Sequence, residues 1–180
     1  MLQIEIPTVE LFDDANQEFI NIKGRVLTLE HSLISLSKWE SKLKIPFLET
    51  KELTIEQTTD YVRFMTIDKN VDPDLYLALT QDNIDKVTEY IQDPMTATWF
   101  NDRNTVPNRE IITAEIIYYQ MIALNIPFEC QKWHLNKLLT LIKVCNIKNS
   151  GKDKKMKRQD IYEQNKALNE QRRKAMNTKG

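Results

Sequence analysis

Eleven of the fourteen residues from Ile111 to Leu124 are apolar or aromatic, and only Thr113, Glu115 and Gln120 break the run. A helix that is apolar nearly all round has to be covered on most of its sides, so this segment predicts a central helix starting near Arg109. It is too short for a membrane span, which needs about 20 apolar residues, and no other stretch is longer, so no membrane is expected. Glu115 stands out on such a helix. A buried carboxylate has to be paired, neutralised or placed at a working site, and Arg109 or Lys137 is the expected structural partner.

The remaining sequence supplies the cover. From Glu30 onward Leu29, Leu33, Leu36, Trp39 or Glu40, and Leu43 recur at helical spacing until Pro46. Thr54 followed by Gln57 reads as a capping box ahead of Tyr61, Val62, Phe64 and Met65. Asp72 and Pro73 open a third helix over 74–79, and a fourth over 80–91 carries Ile84, Val87, Tyr90 and Ile91 before Pro94. After Pro127 a last core helix is expected over 129–147, with Leu135, Leu138, Leu139, Ile142 and either Val144 or Cys145 inward. The first 29 residues alternate instead. Ile4, Ile6, Val9, Leu11, Phe19, Ile20, Ile22, Val26, Leu27 and Leu29 are interrupted by Pro7, the 13–16 turn signal and Gly24, which predicts a small antiparallel β meander.

The formal net charge is −1, from 25 Lys and Arg against 26 Asp and Glu, but it is unevenly spread. Residues 1–150 sum to −7 and residues 151–180 to +6. Beyond Gly151 the larger apolar residues thin to Met156, Ile161, Tyr162, Leu168 and Met176, while good helix formers dominate over 158–175. The expected fold is mainly α: a β meander over 1–29, a helical core domain over 30–150 and a basic, helical tail over 151–180. Such a tail either neutralises phosphates or docks on an acidic protein surface, a second copy included. Nucleic acid is the weaker reading, because the tail lacks interleaved aromatics and any groove-reading motif.

Candidate chemistry is sparse. Three glycines leave no material for a phosphate-binding loop. The only histidines are His31 and His134. If Cys130, His134 and Cys145 lie on one helix they give at most three ligands without the paired spacing of a structural zinc site, so no metal or cofactor is expected and the cysteines read as core residues. On that helix the two thiols would stand about 22 Å apart, beyond bridging distance. Two cysteines, and an N-terminus with no basic region followed by an apolar run, predict a protein of the reducing cytoplasm without a secretory signal. Trp99 and Phe100, in the polar connection 95–107, are the best exposed contacts. With Lys157, Arg158, Ile161, Leu168, Arg172 and Arg173 of the tail they form the expected partner-binding set.

Four blocks carry a resemblance: residues 27–42 (LTLEHSLISLSKWESK), 95–100 (MTATWF), 109–119 (REIITAEIIYY) and 126–136 (IPFECQKWHLN). In order and in character they resemble a family of small tailed-bacteriophage proteins called tail assembly chaperones. What the resemblance implies is a non-enzymatic factor that keeps the long tape measure protein soluble while the tail tube polymerises around it. It would act in the host cell cytoplasm and be absent from the mature virion. The family supplies no catalytic residues. The competing readings are a nucleic-acid-binding protein that uses the basic tail and a permanent structural component of the tail.

Overall fold

The computed structural model describes residues 1–13, 17–100, 110–149 and 158–176. The chain is mainly helical, with its antiparallel β structure at the N-terminus. The four strands are β1 (Leu2–Ile6), β2 (Val9–Asp13), β3 (Glu18–Ile22) and β4 (Arg25–Leu29). Their pairing is nested rather than sequential: β2 pairs with β3, and β1 pairs with β4. Register runs unchanged from Leu2 opposite Leu29 to Asp13 opposite Glu18, so the unit is one long two-stranded ribbon where a meander was expected.

The ribbon is interrupted once, at Pro7–Thr8 on one strand and Lys23–Gly24 on the other. Ile4 and Ile6 point inward before the break, and Val9 and Leu11 after it, so the inward phase shifts by one residue. The partner strand shifts too, from Ile20 and Ile22 to Leu27 and Leu29. A slip on one strand alone would turn its apolar set to solvent, whereas matched slips keep both halves facing the core. Gly24 makes the crossing possible. Its N–H donates to Thr8 Oγ1 at 2.8 Å, and a Cβ there would lie 2.6 Å from both the Ile6 carbonyl oxygen and the Thr8 nitrogen.

Six α-helices are described: α1 (Leu33–Leu43), α2 (Ile55–Met65), α3 (Gln81–Gln92), α4 (Ala114–Ala123), α5 (Leu135–Asn149) and α6 (Arg158–Met176). Their starts are written locally. Ser32 with Ser35, Thr54 with Gln57, and Thr80 with Asn83 each form a reciprocal capping box. The predicted third helix is a 3-10 stretch, Pro73–Ala78, capped by Asp72. The predicted last core helix is divided into a 3-10 stretch, Phe128–Lys132, and α5. Cys130 therefore sits in the 3-10 stretch and Cys145 in α5, and the single helical face expected for Cys130, His134 and Cys145 does not exist.

Two apolar cores result. The first gathers the inward ribbon residues with Trp39, Tyr61, Val62, Met65, Leu75, Tyr76, Val87 and Tyr90. The second gathers Leu33, Leu36, Ala114, Ile117, Met121, Leu135, Leu138 and Ile142. Helix α1 belongs to both, and Phe47 packs against both. The carboxylate expected to be buried on α4 is not: Glu115 is exposed, while Glu40 of α1 and Asp60 of α2 are buried. Glu40 Oε1 accepts the Phe47 N–H at 2.9 Å and Oε2 accepts the Ala114 N–H at 2.8 Å. Thr113 makes no side-chain cap on α4, so Glu40 satisfies a first-turn donor of that helix from another element.

The ribbon crossing gives the first prediction. Gly24→Ala forces apart two backbone segments, and urea denaturation should show a loss of about 1–3 kcal/mol, the usual cost of overpacking. An unchanged midpoint would mean that the two strands do not approach each other there.

Candidate partner-binding surface

The two cores meet at the chain's two histidines. The Leu135 N–H donates to the His31 carbonyl at 2.7 Å, and Ser32 and His134 form an isolated antiparallel bridge. The imidazoles lie edge to face with centroids 5.0 Å apart. His134 Nε2 is 3.0 Å from the Tyr90 carbonyl, which only accepts, so Nε2 carries the proton; Nδ1 accepts the Asn136 N–H at 3.3 Å. Asn136 Nδ2 donates to the Ile91 and Asp93 carbonyls, both at 2.8 Å. The start of α5 thus caps the end of α3, where helical carbonyls lack partners of their own.

His31 Nδ1 lies 2.6 Å from the Tyr61 hydroxyl. Burial first, and then the neighbouring His134, lower the His31 pKa to about 3. Burial also lowers that of His134, against the opposing pull of its bond to the Tyr90 carbonyl. Tyr61 is raised by burial, and Tyr90 by burial and then by its 2.7 Å bond to Glu30, so both phenols stay protonated donors. Four aromatic groups able to titrate are thereby held neutral, which suits a structural junction between packed elements.

The surface residues tell a different story. Helix α4 was expected to be covered on most sides, but it buries only Ala114, Ile117 and Met121. Tyr119 is 69% and Ile122 60% exposed, and Ile111 just before the helix is exposed too. Beside them Tyr118 stacks on the exposed Phe128 with centroids 6.4 Å apart and donates to Gln131 Oε1 at 3.0 Å. A second apolar surface is a groove of about 520 Å³ lined by Leu53, Ile55, Leu77, Leu79 and Ile84, among others. Exposed apolar surface clustered in this way is characteristic of protein contacts.

Of the expected partner-binding set, Trp99 is exposed, while Phe100 is half-buried with Lys143 Nζ 4.3 Å from its ring centroid. Lys157 lies outside the described residues, as do the side chains of Arg158 and Ile161, whose backbone belongs to α6. Leu168 is half-buried, and Arg172 and Arg173 are exposed. No described contact joins these tail residues to Trp99 and Phe100. The face carrying Tyr119 and Ile122 is absent from that set, although its signal was present: a helix richer in apolar residues than its neighbours are able to cover.

Among the described residues, no three His, Cys, Asp or Glu side chains converge as a metal site, and no helix is long and apolar enough to cross a membrane. No family model matches the chain, and no curated protein or solved structure does.

The neutral histidines make stability depend on pH. Below the unfolded pKa of 6.5 the unfolded chain takes up protons that folded His31 refuses until about pH 3, so stability falls as pH drops through that window. Between about pH 6.5 and 5, where carboxylates stay charged, the slope should approach 1.4 kcal/mol per pH unit for each such histidine. Urea midpoints for the wild type and His31→Gln across this range test it. The variant, though less stable, should show the shallower slope, and equal slopes would exclude a neutral buried His31.

Proposed function

We propose that this chain is a non-enzymatic tail assembly chaperone of a tailed bacteriophage, which binds and solubilises the tape measure protein in the host cell cytoplasm. The observation that carries the proposal is the bare outer face of α4, with Tyr119 and Ile122 exposed and Phe128 beside them. A long helical client exposes apolar stripes before assembly, and such a stripe is covered by an apolar face offering anchors at helical spacing. Tyr119 and Ile122, three residues apart, meet that requirement. The groove at Leu53, Ile55 and Leu77 offers a second contact of the same kind. Resemblance to the chaperone family names the client; the exposed face supplies a way to hold it.

Arg172 and Arg173, both exposed, favour a second reading in which the tail contacts nucleic acid. Phosphate binding weakens steeply with salt, so titrating random-sequence DNA at low and high ionic strength separates the two readings.

The chaperone reading is tested by co-expression with the tape measure protein. Central aromatic and aliphatic anchors cost about 1 kcal/mol or more each when lost, so Tyr119→Lys with Ile122→Lys should lower the soluble client several-fold. The free chain should keep its melting temperature, because neither side chain is in a core. Undiminished client solubility, with the variant folded, would refute the assignment of this face.

A further inference from the structure

The distal half of the ribbon presents an aromatic pair to solvent. Phe12 and Phe19 face each other across β2 and β3, on the side away from the inward Leu11 and Ile20. Their rings pack edge to face with centroids 5.1 Å apart, yet they are 47% and 69% exposed. Aromatic pairs of this kind are normally found in cores and interfaces. The sequence around them is acidic: the first 22 residues hold five carboxylates and no Lys or Arg. Exposed Glu10 shares the aromatic face, whereas exposed Glu18, next to Phe19 in sequence, falls on the other side of β3 with Ile20.

Helix α6 is the chemical complement. Tyr162, Asn165, Lys166, Asn169, Glu170 and Arg173 line one shallow groove along it. At 100° per residue Tyr162, Lys166 and Arg173 fall on one face, while Glu163 and Glu170 fall to the side of it. Neither core contains a described residue of α6. The helix presents two cations and a ring beside Glu170; the ribbon presents two rings and the Glu10 carboxylate. Cations over exposed aromatic faces and ion pairs with the flanking carboxylate are the contacts such surfaces make.

We infer that the Tyr162, Lys166 and Arg173 face of α6 docks on the Phe12 and Phe19 face of the ribbon in a second copy of this chain. Each copy carries both surfaces, so a symmetric dimer contains the contact twice. It leaves the outer face of α4 free, and it is independent of the client-binding reading.

Light scattering on the full chain, without client, tests this. The wild type should associate at low salt and dissociate as salt rises. Lys166→Glu with Arg173→Glu should weaken association about tenfold or more, and Glu10→Lys in the ribbon should weaken it as well. An equimolar mixture of the two charge-reversed chains should associate again, because a mixed pair has one native ribbon–helix contact and one in which both charges are reversed, a recovery that no folding defect would reproduce. Three results would overturn the inference: a monomer at every concentration at low salt, association that neither reversal weakens, or reversed chains that stay apart when mixed.

Discussion

The fold depends on a corner where two distant segments pair by their backbones. Residues 31–32 carry the chain from the ribbon into α1, and residues 134–135 carry it into α5; the Leu135 N–H to His31 carbonyl bond and the Ser32–His134 bridge hold them together. Each core is assembled on one side of this corner, and α1 runs between them. The side chains at the corner then do double duty. His31 reaches Tyr61 of the first core, and His134 closes the end of α3 through the Tyr90 carbonyl. Burial lowers the pKa of both rings and so favours their neutral forms.

Glu40 works in the same way about half a helical turn past the middle of α1. A buried carboxylate is tolerable only when its oxygens are well paired, and these accept one N–H at Phe47 and one at the first turn of α4. The bond at Ala114 anchors the start of α4 against α1, so its inner face, Ala114, Ile117 and Met121, enters the second core. The outer face is left to solvent as a consequence. A helix rich enough in apolar residues to be buried all round thus keeps Tyr119 and Ile122 exposed.

Much of the helical architecture was legible because its signals are local. Thr54 with Gln57 marked the start of α2, and Asp72 with Pro73 marked a turn of helix, which is 3-10 in the structure. The ribbon's alternation was visible in Ile4, Ile6, Val9 and Leu11, but nested pairing was not, because alternation specifies a face and not a partner. Long-range partners account for the other differences. Glu115 looked like the buried carboxylate because it interrupts an apolar run, whereas Glu40 is buried by its bond to residue 114, which no spacing announces. The approach of His31 to His134 is a tertiary contact of the same sort. Apolar content around α4 gave the amount of surface to be covered without saying whether this chain or another covers it.

The outer face of α4 is where the account is most exposed to contradiction. A photo-crosslinking residue in place of Tyr119, compared with one in place of the exposed Lys86 on α3, addresses it in cells that also make the tape measure protein. The account predicts a covalent adduct with the tape measure protein from position 119 and none from position 86. An adduct from position 86 alone, or from neither position while the client remains soluble, would contradict it.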